Sequence, residues 1–316
     1  MPKLLAALAA LMFALPAAAQ YPEKTVTMLA GYPPGGLVDI VARLVAEGMK
    51  PKFPRGLTVV NRPGAAGSVA VAEMARAAPD GYTIIITPDS ALAIAAQMQD
   101  LAYKTPDDYD PLINLVAYYP MIVVRTESEY KTIQDLIKDA KANPGKVRVG
   151  SPGEGTTSHL NLEELMATTG AKMIHIPFQG WAQSSTAMLG GHLEAVVAQP
   201  GELKGVVEGK RVRVLLNFRP ERLKTFPDVP TAKEEGWDVA FGVWYMLLAP
   251  KGTPAAIAQH VHDAAKAAID DPKFAADMAS RGIDVHYRPG NALRADLWRE
   301  YKTYSELLRR VGLVKK

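Results

Sequence analysis

No cysteine occurs anywhere in the 316 residues. That absence excludes a disulfide framework, a thiol nucleophile, a thiolate metal site and a lipid-bearing N-terminal Cys. Charge of one sign is also missing. Lys and Arg number 36 against 33 Asp and Glu, a balance of +3, and without Lys3 it becomes 35 minus 33, or +2. Nothing in that balance calls for nucleic acid or a membrane surface as partner. The phosphate-loop signature, the Gly-x-Gly-x-x-Gly dinucleotide turn, the Gly-x-Ser-x-Gly elbow and His-Glu-x-x-His are all absent. His260 and His262 stand two apart on an expected helix, so they face different ways and cannot share a metal. Neither a cofactor nor a metal is expected.

Long apolar runs are confined to the N-terminus. Lys3, then Leu4 to Leu15, then Ala17-Ala18-Ala19 read as a secretory signal peptide with cleavage after Ala19. The mature chain is expected to be a soluble, untethered protein of a Gram-negative periplasm. Nearly 300 mature residues exceed the usual single core, which favours two domains.

What is present is an α/β rhythm. Strands are expected at Thr25–Ala30, Thr58–Val60, Thr83–Thr87, Met121–Arg125, Val147–Val149, Met173–Ile176, Ala195–Ala198, Val212–Asn217 and Trp244–Leu248. Between them the spacing predicts helices at Asp39–Lys50, Ser68–Ala77, Ile133–Ala142, His159–Thr169, Gln183–Leu189, Thr231–Glu235, Pro254–Asp270, Pro272–Arg281 and Ala292–Val311. Alternation of this kind argues two doubly wound parallel sheets.

In such sheets ligands sit beyond the carboxyl ends of the strands. The segments there are "GYPPGG", "TPDSA", "GSPGEGTTSH", "PFQGW" and "QPGE". They are rich in Gly, Pro, Ser and Thr and poor in charge. Pro33-Pro34 fixes the path of the first turn, and Gly35-Gly36 leaves backbone bare at a helix start, where unpaired N–H groups attract anions. The loop before His159 repeats the device with the hydroxyls of Thr156, Thr157 and Ser158. Gly-rich turns often do no more than close a turn, but two of them without a catalytic set favour binding. Asp39 reads better as a cap of its own helix than as a base, and His159 as a loop-pinning residue. No third group orients Thr157 and His159 as a nucleophile pair.

Five stretches then carry a resemblance: "YPEKTVTMLAGYPPGGLVDIVARLVAEGM", "VNRPGAAGSVAVAEMARAAPDGYTIII", "ANPGKVRVGSPGEGTTSHL", "LKTFPDVPTAKEEGW" and "LAPKGTP". They resemble the periplasmic receptors of tripartite tricarboxylate transporters, the Bug proteins, in order along nearly the whole mature chain. The resemblance implies a type II periplasmic-binding fold, with two doubly wound α/β lobes joined by crossover strands and a ligand cleft between them. The expected lobes are 20–124 with 247–316, and 125–246. It implies a small organic carboxylate as ligand, membrane permease subunits of a tripartite transporter as partner, a monomer, and no enzymatic activity. Ligand contacts are expected from Tyr32, Pro34, Gly35, Gly36, Leu37 and Asp39 in the first turn, and from Thr87, Asp89 and Ser90 after the third strand. The other lobe is expected to add Ser151, Gly153, Gly155, Thr156, Thr157, His159, Gln179, Trp181 and Gln199. Leu37, Val38 and Trp181 depart from the family's small or polar residues and suit a ligand with an apolar or aromatic body. Asp89 would repel a carboxylate unless an amine or a proton offsets it. Two other readings stay open: a sensor that presents its ligand to a membrane kinase, and an exported hydrolase or isomerase using Asp89 with His159.

Overall fold

The computed structural model describes residues 21–313, so the expected signal peptide lies outside the described residues. The strands are β1 (Val26–Ala30), β2 (Leu57–Asn61), β3 (Thr83–Pro88), β4 (Tyr109–Tyr118), β5 (Met121–Arg125), β6 (Arg148–Ser151), β7 (Ile174–Pro177), β8 (Ala195–Ala198), β9 (Val212–Asn217), β10 (Val243–Pro250) and β11 (Asp284–Pro289). The helices are α1 (Leu37–Met49), α2 (Ser68–Arg76), α3 (Asp89–Ala93), α4 (Ala95–Met98), α5 (Ile133–Ala142), α6 (Thr157–Thr169), α7 (Trp181–Leu189), α8 (Pro200–Glu208), α9 (Ala255–Asp270), α10 (Pro272–Ser280) and α11 (Gly290–Val311).

Two sheets form, in the orders β11-β4-β10-β3-β1-β2 and β7-β6-β8-β5-β9. The chain leaves the first sheet after Tyr118, enters the second at Met121, and re-enters the first at Val243. The expected lobe limits at 125 and 247 therefore fall at or inside strands, at the end of β5 and within β10. The expectation of parallel sheets needs correction. β1 runs parallel to β2 and β3, and β6 to β7 and β8, but β10 is antiparallel to β3 and β4, and β5 to β8 and β9. The antiparallel strands are those by which the chain changes sheets, where no βαβ crossover dictates direction.

Two strands escaped the sequence reading. β4 contains Pro111, which removes a ladder donor and argues against a central strand. Pro111 is tolerated because the pairing of β4 with β10 slips between Leu247 and Leu248, opposite Ile113 and Pro111. β11 is a short edge strand with little apolar content. The expected helix Thr231–Glu235 is only a turn: Thr231 and Glu234 exchange capping hydrogen bonds, while Thr231 bridges Asn217 of β9. α8 was missed because Gly201 and Gly205 lower its intrinsic helicity.

The first core packs Leu37, Val41, Val45 and Met49 of α1 and Val261, Ala264 and Ala268 of α9 against Val26, Met28, Ile84 and Ile86. These helices meet closely. A Cβ on Gly48 would stand 2.5 Å from the Ala268 Cβ and 2.9 Å from its Cα. The second core packs Leu136, Ile137, Leu162 and Leu165 on Val124, Val147, Val149 and Val197. A bridging cluster joins α11 (Tyr304, Leu307, Leu308) to Ile94 and to Leu160 of α6. Beside it Asp89 is fully buried. Its carboxylate accepts from the Trp244 N–H at 2.9 Å and from the Tyr304 hydroxyl at 3.3 Å. Burial pushes its carboxyl up to about 7 despite those donors. Burial, then Asp89 itself, also pushes the neighbouring Glu300 up.

Two measurements follow from this packing. Gly48→Ala gains helix propensity of about 1 kcal/mol but overpacks against Ala268, at a cost of about 1–3 kcal/mol. The expected result is a lower melting midpoint that Ala268→Gly in the same chain partly restores; a stabilised single variant would refute the close contact. For Asp89, the folded chain holds a proton that the unfolded chain releases between 3.8 and about 7. Stability contributed by this group therefore falls as pH rises through that window. Asp89→Asn should remove the decline, so its melting midpoint relative to the parent should improve steadily from pH 4 to pH 7; a constant offset would show that Asp89 does not titrate there.

Candidate functional site

The carboxyl ends of β1, β3, β6, β7 and β8 all point at the seam between the sheets. The loops that follow them enclose three neighbouring spaces. The largest, about 640 Å³, is lined by Tyr32, the turn 64–67, Gln99, Pro152, Gly153, Phe178 and Gln179, among others. A side chamber of about 130 Å³ is lined by Tyr32, Pro34, Gly36, Leu37, Gln179, Trp181, Gln183, Gln199 and Glu202, among others. The innermost space, about 10 Å³, lies among Tyr32, Ser90, Tyr118, Thr156, Thr157, Gln199 and Tyr245. Tyr32 and Pro152 line all three. The charged side chains lining them are Glu154 and Glu202; no Lys, Arg or His does so.

Of the helices that start at this seam, α1 and α6 follow the two glycine-rich turns. At α6, Thr156 is the N-cap. Its Oγ1 accepts from the His159 N–H at 3.2 Å and donates to the Gly153 carbonyl at 2.8 Å. The N–H groups of Thr157 and Ser158 lie in the first turn, where no intrahelical acceptor exists. The Thr157 hydroxyl is buried beside the Tyr304 hydroxyl, makes no hydrogen bond of good geometry, and borders the innermost space. That combination is a neutral anion-binding corner.

At α1 the expectation for Gly35 and Gly36 is corrected. Their N–H groups already have acceptors. Gly35 donates to Asp39 Oδ2 at 3.0 Å, Gly36 to the Pro33 carbonyl at 3.4 Å, and Leu37 to Glu202 Oε1 at 3.3 Å. Protein carboxylates thus meet the helix start. Asp39 is tied to Arg43 and to Asn61. Burial pushes its carboxyl up, but Arg43, Gly35 and Asn61 outweigh burial and hold it below the usual carboxylate range.

Of the remaining expected residues, Ser90, Gly153, Thr156, Thr157, Gln179, Trp181 and Gln199 border the three spaces. Gly35, Asp39, Thr87, Asp89, Ser151, Gly155 and His159 do not; they hold the loops from behind. The Thr87 hydroxyl donates to the Pro88 carbonyl at 3.4 Å. Gly155 donates to His159 Nδ1 at 3.2 Å, and the His159 ring stacks on His175 with centroids 3.9 Å apart. His175 Nε2 lies 2.7 Å from the Ser151 hydroxyl, which accepts from the Gly153 N–H. Burial, then His159, pulls His175 down to about 3, so it stays neutral. Asp89 and His159 therefore make no acid–base pair in the cleft. Trp181 does two things: it borders the side chamber and packs on the second sheet's outer cluster around Met188 and Leu193.

Sequence reasoning missed Tyr118, Tyr245 and Glu202. The Tyr245 hydroxyl donates to Gln199 Oε1 at 2.8 Å and lies 2.9 Å from the Tyr118 hydroxyl. Burial raises both phenols well above their ordinary values. Tyr118 ends the unrecognised strand β4, so no signal marked it. Glu202 stood in "QPGE" and could have been found there.

With the geometry in place, comparison with known proteins is informative. Residues 41–312 match the family described as the tripartite tricarboxylate transporter family receptor. A UPF0065 protein encoded in the gbd 5′ region of Cupriavidus necator is 36% identical over 311 residues, 96% of this chain and 93% of that one. The periplasmic binding protein BugD superposes with a TM-score of 0.88 at 28% identity, over 94% of this chain and all (100%) of its own. MatC of Rhodopseudomonas palustris, solved with bound malate, gives a TM-score of 0.85 at 26% identity over 91% of this chain and 100% of its own. The two-lobed α/β fold and the cleft at the seam agree with that match, and the chain belongs to the tripartite tricarboxylate transporter receptor family, whose members are periplasmic solute-binding proteins and not enzymes.

Proposed function

We propose that this protein captures a small organic carboxylate at the seam between its lobes, in the periplasm, and hands it to the membrane permease of a tripartite transporter. The observation that carries the reading is the start of α6: two N–H groups without an intrahelical acceptor, a buried hydroxyl that borders the innermost space, and no cation among the residues lining it. Four or five hydrogen bonds to a carboxylate, at about 1.5–3 kcal/mol each before ordering costs, suffice for micromolar binding of about 8 kcal/mol. Neutral donors hold an anion without the long residence of a charged clamp. The malate seated in MatC supports this ligand class. Delivery to a permease, rather than presentation to a sensor kinase, rests on the family description.

The lobes we propose follow the sheets and the cores packed on them: 21–118 with 243–313, and 121–239. The chain then hinges at Tyr119-Pro120 and along 240–242. The innermost space has room for about one water. A carboxylate reaches Thr157 only if the lobes part and close again as rigid bodies. The hydrogen bonds from Tyr245 to Gln199 and from Leu37 to Glu202 join the two sides and must break and re-form on that path.

Two results would test this. A thermal-shift screen of mono-, di- and tricarboxylates should give at least one stabilising ligand, and small-angle scattering should then show different radii of gyration for the free and saturated protein. Equal radii with binding established would remove the hinge. Thr157→Val keeps the shape of the side chain and deletes the hydroxyl, so calorimetry should find about 1.5–3 kcal/mol less binding with the melting midpoint nearly unchanged. Undiminished binding would move the carboxylate away from α6.

A further inference from the structure

A carboxylate-binding cleft with no cation would be expected to contain no anion of its own, yet Glu202 faces this one. It rises from α8 of the second lobe and crosses the seam to the first turn of α1, where its Oε1 accepts from the Leu37 N–H at 3.3 Å. Its hydrogen bonds are to backbone N–H groups, those of Leu37 and Gln199, and no basic side chain pairs with it. It borders the side chamber of about 130 Å³ together with Trp181, Tyr32 and the amides of Gln179 and Gln183.

We propose that Glu202 sets the ligand class of the cleft by receiving a cationic nitrogen, so that the preferred ligand is a carboxylate that also bears an ammonium or amidinium group. The inference rests on the carboxylate reading above and adds the second functional group. A carboxylate next to an indole face is a favourable setting for a cation, which gains from both the charge and the ring quadrupole. Tyr32 offers a second ring on the same chamber. A second carboxylate placed there would either oppose ionised Glu202 across a few ångströms of poorly screened space or hold Glu202 in its protonated form. It would also find the Leu37 N–H, the donor it needs, already taken. The chamber thus takes a cation onto ionised Glu202 and admits a second carboxylate only while Glu202 keeps its proton.

Protonation supplies an independent signature. Burial pushes the Glu202 carboxyl up to about 8, so at neutral pH it is largely protonated. The titratable groups around it are the phenols of Tyr32, Tyr118 and Tyr245, all raised by burial and neutral, with Asp89 farther back. A bound ammonium stabilises the Glu202 anion and expels its proton. A bound dicarboxylate does not.

The test compares matched pairs in which one terminal carboxylate is replaced by an amine: glutarate with γ-aminobutyrate, adipate with δ-aminovalerate, and terephthalate with para-aminomethylbenzoate. Calorimetry is run on the full mature protein and on Glu202→Gln, which keeps an acceptor for the Leu37 N–H, with circular dichroism to confirm folding. In at least one pair the amino member should bind about ten-fold more tightly to the parent. Its binding should release a proton, seen as heats that vary with the buffer's ionisation enthalpy. Glu202→Gln should lose that release and shift the pair's ratio at least about ten-fold toward the dicarboxylate. Tighter dicarboxylate binding by the parent in every pair overturns the inference and leaves the carboxylate reading intact. So does an amino preference that Glu202→Gln leaves unchanged. Binding of neither member of any pair counts against the carboxylate reading, and the inference falls with it.

Discussion

The first N–H groups of α1 and α6 must find acceptors at the seam between the sheets, and no cation lines the three spaces there. How each helix meets that requirement organises the site. α1 meets it with the protein's own carboxyls, Asp39 through Gly35 and Glu202 through Leu37. α6 meets it in part, with the Thr156 hydroxyl on His159, and leaves the next groups open. The fold closes the start of α1 and leaves part of the start of α6 open.

The loop before α6 keeps its shape through groups that never touch the ligand space. His159 and His175 stack at 3.9 Å, one bonded to the Gly155 N–H and the other beside Ser151, which takes the Gly153 N–H. Both rings serve as partners of backbone or hydroxyl groups, and the burial that keeps His175 uncharged preserves its role across the physiological range. Rigid support of this kind is what lets weak, neutral donors act together, because their geometry is set before the ligand arrives.

Much of this was legible in the sequence. The buried apolar strands, the Pro and Gly punctuation and the hydroxyl-rich start of α6 marked the α/β pattern and the loops that converge. What failed did so for identifiable reasons. Pro111 hid β4 because a bulge, which only the paired strand reveals, absorbs its missing donor. The parallel expectation failed where the chain changes sheets, since strand direction there follows tertiary connection and not local pattern. Gly35 and Gly36 looked like open backbone because their acceptors, the Asp39 carboxylate four residues on and the Pro33 carbonyl three residues back, depend on how the turn folds. Ser151 and His159 were expected at the ligand from the family resemblance; packing holds them behind the loop, off the three spaces at the seam.

The contact between Gly48 and Ala268 also has a temporal side. The two residues are 268 − 48 = 220 positions apart, with the whole second sheet between them. As the chain emerges from its N-terminus, 121–217 can complete its own sheet while α1 still waits for α9 and β3 still waits for β10. Long separation of this kind slows the closing step, because loop entropy is lost before the contacts repay it. During that interval β3 presents an unpaired edge bearing Thr83, Ile84, Ile85, Ile86 and Thr87, apolar, β-branched and uncharged. Such an edge is a template for another chain. The half-made first lobe is therefore the species most prone to aggregate, and the segment 83–87 is where a chaperone would have most to protect.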